Sequence, residues 1–353
     1  MPAPAPPVFD GHNDVALRLW GARDLAGRGF VEGDAGHVDL PRARAGGLAG
    51  GIFALFVPDD TEPHRAGPEV GDGTPLDLPL AGPVDADAAR RVTLDQAAIL
   101  LRLARGNPDD IRLCRTADEV EAARAASALA IVMHLEGCEA IGPDLAELHV
   151  LHAAGLRSLG PVWSRPNAHG HGVPFRHPGD PDEGPGLSDL GKRLVAECNA
   201  LRVMVDLSHL NAAGGRDVAA ISDAPLVATH SCAHALAPAA RNLTDDQLRM
   251  IAGTGGLVGL NFAVAFLRAD GGRNPDTPIE TMIRHLDHLL GILGEGGVAL
   301  GSDFDGALVP RAIGDAAGLP KLVEAMRRAG YGETLIERIC WSNWLDVLRR
   351  TAG

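Results

Sequence analysis

The chain of 353 residues carries 46 acidic against 32 basic side chains, a formal charge of −14, which argues against nucleic acid because a phosphate-binding face needs clustered Lys and Arg. Its five cysteines are odd in number and widely spaced with no C-x-x-C pair, which argues against a disulfide framework or a zinc finger and for reduced thiols in a cytoplasmic protein. No leader-like segment opens the chain and no run approaches the length of a membrane span, while 46% apolar residues suffice for one large core.

Short β-branched or apolar runs alternate with stretches of helical periodicity, the pattern of repeated β-α units around a parallel sheet. The first run, Val8–His12, leads into Asp10-Gly-His-Asn-Asp14. Side chains two apart share one face of a strand, so His12 and Asp14 are expected to point at one spot. Further strands are expected at Gly50–Val57, Leu129–Leu135, Leu156–Val162, Val203–Leu207, Pro225–Thr229, Leu257–Asn261 and Val298–Gly301. Helices are expected at about 85–105, 144–154, 188–201, 212–222, 244–253, 278–293 and 320–329, with Thr244 and Gln247 spaced as a capping box. Eight strands with intervening helices predict an α/β fold, a single closed (β/α)8 barrel over 1–353. Two long Gly/Pro-rich connections, 58–84 and 165–186, leave the carboxyl ends of the second and fourth strands. They are either walls or a lid over a site, or solvent-exposed insertions. The last segments, within 332–350, are expected to pack outside the barrel.

In a barrel the strand carboxyl ends converge on one mouth. The first strand delivers His12 and Asp14, the third Glu136, the fifth His209, the sixth His230 and the eighth Asp303. Three carboxylates crowded together do not stay ionised without cations among them. Imidazole nitrogen with carboxylate oxygen suits Zn²⁺, and six potential ligands exceed the needs of one four-coordinate ion, so a pair of ions sharing a carboxylate uses them better. The chain's two lysines, Lys192 and Lys321, fall in helical segments, so no lysine at a strand end is placed to bridge metals and Glu136 is the candidate bridge. His134 and Asp206, inside apolar runs, read as hydrogen-bonded core groups, and Asp305 as a turn residue.

Asp10-Gly-His-Asn-Asp14, His134-Leu-Glu-Gly137, Asp206-Leu-Ser-His209, Thr229-His-Ser231, Arg241-Asn242, Gly301-Ser-Asp-Phe-Asp-Gly306 and Asn343-Trp344 together resemble the membrane dipeptidase (renal dipeptidase) family, the M19 metallopeptidases among the amidohydrolase-like barrels. The resemblance implies two zinc ions, His12 and Asp14 on one, His209 and His230 on the other, and Glu136 bridging. It also implies Asp303 as acid/base, Arg241 as the reader of the substrate carboxylate, a small dipeptide as substrate and a homodimer as the common assembly. A hydroxide bridging the ions is the expected nucleophile. The family usually places a histidine just after the fourth strand, and here Trp163 stands in that slot beside Asn167, both taken as substrate-contacting. His169 or His171 substitutes for the missing histidine, or the metal alone polarises the carbonyl. The alternatives to a dipeptidase are a related amidohydrolase acting on another small amide, N-acyl amino acid or lactam and, more remotely, a non-catalytic metal- or peptide-binding barrel.

Overall fold

The computed structural model describes residues 5–61 and 72–352. All eight expected strands form: β1 Val8–Asn13, β2 Leu48–Phe56, β3 Leu129–Glu136, β4 Leu156–Gly160, β5 Met204–Val205, β6 Val227–Ser231, β7 Leu257–Leu260 and β8 Val298–Leu300. They run parallel in two arcs, β1-β2-β3-β4-β5 and β8-β7-β6. Single bridges, Asp206 to Val227 and Asn13 to Phe304, join the arcs and close the barrel.

Backbone pairing is thin at these two seams, and buried carboxylates reinforce it. Asp206 accepts from the Thr229 amide (2.8 Å) and hydroxyl (2.6 Å) and from the Ser208 amide and hydroxyl. Asp10 accepts from the Ser302 amide (2.6 Å) and hydroxyl (2.7 Å). A buried carboxylate is costly unless donors surround it, and here each one spans a seam to find them.

Alternation along the strands decides what faces where. On β3, Ile131, Met133 and Leu135 pack outward, while Ala130 and Val132 join Phe9, Ile52, Met204, Val227, Leu257 and Ala299 inside the barrel. Further two-residue steps carry the inward face to His134 and then to Glu136. The period that fills the barrel with apolar side chains thus also delivers a carboxylate to its mouth. His134 stays in the layer below, with Nδ1 2.8 Å from Ser158 Oγ, as a core group.

The C-terminal segments do more than pack outside. Glu333–Glu337, a π-helical turn Arg338–Ser342 and Asn343–Thr351 form one continuous helical run. Trp344 on it is fully buried, with its ring 5.9 Å from Phe9 and its indole N–H donating to Leu300 O at 2.9 Å. It closes the amino-terminal end of the barrel beneath Gly11, where a Cβ would collide with the indole and with the Thr229 carbonyl. Five short helices, Val15–Gly21, Arg28–Glu32, Leu40–Gly46, Ala117–Ala125 and Val264–Leu267, and a short strand, Ile111–Leu113 beside the start of β3, were not expected.

Described parts of the two long connections pair with each other. Asp77–Leu78 pairs antiparallel with Phe175–Arg176, and Pro75 bridges to Gly272, so the segments from the second and fourth strands meet across the barrel mouth. Residues 62–71 of the first connection lie outside the described part. Among the described residues no helix is long and apolar enough to cross a membrane.

Replacing Trp344 with Ala removes the plug and its hydrogen bond, and should cost about 3–5 kcal/mol in guanidinium unfolding of the metal-loaded protein. A loss below about 1 kcal/mol would show that the ring is not a structural closure.

Candidate active site

The strand ends converge on one atom. Glu136 Oε1 lies 3.0 Å from His209 Nε2, 3.5 Å from His230 Nε2 and 3.6 Å from His12 Nε2. Asp14 Oδ2 is 3.5 Å from the same His12 nitrogen. His209 and His230 face each other with their Nε2 atoms 3.2 Å apart, and the His12 and His230 rings stack at 3.7 Å between centroids. Two sets, His12-Glu136-His230 and His12-Asp14-Asp303, each bring three donor atoms within 4.8 Å of one another.

Hydrogen bonds behind the imidazoles set which nitrogen faces the site. Thr229 Oγ1 gives its proton to Asp206 and lies 2.8 Å from His230 Nδ1. It therefore accepts the Nδ1 proton and leaves Nε2 a lone pair toward Glu136. Ser164 Oγ stands 2.9 Å from His209 Nδ1 and ties that ring down. His12 is buried with no hydrogen-bond partner on either nitrogen, a costly condition for a polar group.

The charges agree with this geometry. Burial pushes the Glu136 carboxyl up to about 8 and the Asp303 carboxyl upward. Burial also holds His209 and His230 well below the ordinary imidazole value, which keeps them neutral as ligands must be. Burial would depress His12 too, but Glu136, Asp14 and Asp303 outweigh it and hold that imidazole at about 10. Carboxylates packed out of water retain whatever positive charge comes within reach. Facing lone pairs, an unpartnered imidazole and mixed nitrogen and oxygen donors fit a divalent cation of the zinc class.

Asp303 adopts a left-handed backbone conformation, φ +60°, with its amide bonded to His12 O. Such a conformation is strained for a residue with a Cβ and persists where the surroundings fix it. Its Oδ2 accepts from Asn261 Nδ2 at 2.9 Å. Gly306 follows because a Cβ there would strike both the Asp14 and the Asp303 carboxylates. Asp305, a turn residue, ties down Arg18 and the His37 amide. Asn261, Ser164 and Thr229 are site residues that the sequence reading did not single out. Asn261 carried a signal, an amide at the end of the apolar run of β7, where other strands present His, Asp or Glu.

Beside these groups lies a cavity of about 280 Å³, bounded at its polar end by Asp14, Glu136, His209 and Asp303. Phe56, Trp163, Phe175 and Phe266 line it, with Leu76 and Leu78 from the first long connection and Arg273, which pairs with Asp72 at 2.7 Å. Trp163 is thus in place. Asn167 is not among the lining residues: its amide donates to Pro161 O and accepts from the His169 amide, and it borders a separate cleft with Pro83, Val84 and Glu139. His169 is buried against Ile141 O, and neither it nor His171 lines the cavity. Arg241 is buried behind the wall, its Nη1 donating to Ser231 Oγ and Nη2 to His230 O, its guanidinium 5.8 Å from the Phe266 ring centroid and its Nε without a hydrogen-bond partner.

A parallel barrel with His, Asp and Glu donors gathered at the strand carboxyl ends is the architecture of a metal-dependent hydrolase. Residues 4–353 match the family described as membrane dipeptidase, peptidase family M19. The chain belongs to that family and is a metallo-dipeptidase-type hydrolase. It is similar to a metallo peptidase from Rhodobacter sphaeroides whose crystal structure holds a phosphinate mimic of the dipeptide L-Ala-D-Ala (53% identity, 99% of this chain and 100% of that one, TM-score 0.94). It is also similar to dipeptidase AC, a metallo peptidase of family M19 (51% identity, 99% and 100% coverage, TM-score 0.93). An uncharacterized protein in the pqqA 5' region of Klebsiella pneumoniae shares 48% identity over 254 residues, 72% of this chain and 94% of its own length.

Replacing Thr229 with Val leaves His230 Nδ1 without its acceptor, and metal affinity measured by chelator competition should fall about 10–100-fold. Unchanged affinity would remove Thr229 from the support of the site.

Proposed function

We propose that the protein hydrolyses the amide bond of dipeptides, accepting a D-residue at the C-terminal position, with two zinc ions as cofactors. The convergence of three imidazoles on one carboxylate oxygen beside a dipeptide-sized cavity carries this reading. The phosphinate dipeptide mimic bound by the Rhodobacter sphaeroides protein supports the stereochemistry, because a tetrahedral phosphinate resembles the transition state of amide hydrolysis.

His12 and Asp14 would hold one ion, His209 and His230 the other, and Glu136 would serve both. Bound divalent ions supply Lewis acidity toward the carbonyl and water acidified toward neutral pH. Asp303, steadied by Asn261, takes a proton from the attacking water and returns it to the leaving amine, the two-way transfer that amide cleavage requires. Arg241, with an unpaired Nε, is the anchor for the substrate carboxylate, an assignment that suits a planar guanidinium. The aromatic wall keeps bulk water from the reacting bond. Five buried, unpaired cysteines suit work in the reducing cytoplasm.

Chelation should abolish dipeptide turnover and added Zn²⁺ should restore it. Activity that survives complete removal of metal would overturn the reading. Asp303→Asn should retain its metal and lose about 10²–10⁴-fold in kcat, as read by metal analysis and initial rates on L-Ala-D-Ala. Arg241→Met should chiefly raise KM for peptides with a free carboxylate, compared with their amides. If Arg273→Met does so instead, the anchor lies on the cavity wall.

A further inference from the structure

We propose that Arg165 is a positioning residue for substrate selection: its buried guanidinium clamps Trp163 and Phe56 into a fixed aromatic face, and that face favours dipeptides with a bulky apolar side chain on the His209 side of the scissile amide. The substrate half rests on the dipeptidase reading above, whereas the clamp itself does not.

Arg165 is fully buried and absent from the cavity lining, whereas the two rings it lies against, Trp163 and Phe56, line it. Its guanidinium carbon lies 4.9 Å from the Trp163 ring centroid and 5.6 Å from that of Phe56, and the two rings are 4.9 Å apart. Nη2 donates to Val57 O at 2.7 Å and lies 3.4 Å from Asp59, while Nε stands 3.6 Å from Glu139. Neither Nε nor Nη1 makes a hydrogen bond. An incompletely satisfied buried cation is a poor space-filler, since an apolar side chain of similar volume often stabilises as well or better. What such a side chain lacks is a planar, delocalised cation that can lie against two aromatic faces at once.

The face so held runs along the cavity. Trp163 packs edge-on to Phe175 at 5.3 Å, and Phe175 stacks on Phe266 at 6.0 Å. Trp163 and Phe175 lie 5.8 and 6.1 Å from the His209 ring. The wall therefore begins against a metal-ligating imidazole, and this aromatic stretch bears no charge to attract a polar substrate side chain.

The test compares metal-loaded wild type, Arg165→Met and Arg165→Lys, the last keeping the charge beside Glu139 but not the plane. The ratio of kcat/KM for the better of L-Leu-D-Ala and L-Ala-D-Leu over L-Ala-D-Ala should fall about tenfold in both variants. An unchanged ratio overturns the selection role. Trp163 emission, isolated as the difference from Trp163→Phe, should shift to the red and become more accessible to acrylamide in Arg165→Lys. Unaltered emission and quenching overturn the clamp. Should the wild type cleave none of the three peptides, the dipeptidase reading falls with the substrate half, and the emission measurement still decides the clamp.

Discussion

The fold is organised around three carboxylates and three imidazoles gathered at the mouth of the barrel. Glu136 Oε1 receives three imidazoles, all buried, with the buried Asp14 and the half-buried Asp303 close by. Removing carboxylates from water without compensation is costly, and this arrangement suits the holding of a metal cation. The Thr229 and Ser164 hydroxyls lie against the imidazoles, and the two-residue period of β3 brings in Glu136. The barrel is the device that holds these donors against their mutual repulsion.

Much of this was legible because two regularities coincide in the chain. Apolar runs announced all eight strands, and a ligand-type residue followed five of them, which a barrel turns into proximity. What escaped had weak local signals. Val15–Gly21 is one short helix directly after Asp14, and Ile111–Leu113 is three residues long, too brief for a period to show. Glu333 to Thr351 read as two elements because Ser342-Asn343 imitates a helix start, yet a π-helical turn carries the run through. Asn261 looked like the end of a strand, and nothing in the chain marks it as the partner of an acid 42 residues away. Asn167 is drawn aside by its own loop, since Pro161 O and the His169 amide satisfy it locally.

The interior holds an unusual share of cationic planes for so acidic a protein. Arg241 lies against Phe266 and Arg165 against Trp163 and Phe56, so the aromatic side of the cavity is backed near each end by a buried guanidinium. Aromatic faces are electron-rich and receive such groups well. Trp163 thus belongs to a packed layer, and a change at that one position would have to be accommodated by its neighbours.

The two seams give the site a mechanical meaning. His12, Asp14, Glu136 and His209 issue from one arc of the barrel, while His230 and Asp303 issue from the other. Each junction between the arcs is a single backbone bridge helped by one aspartate. A cation held by donors from both arcs would act as a rivet across these joints, so that loading the site would also brace its frame.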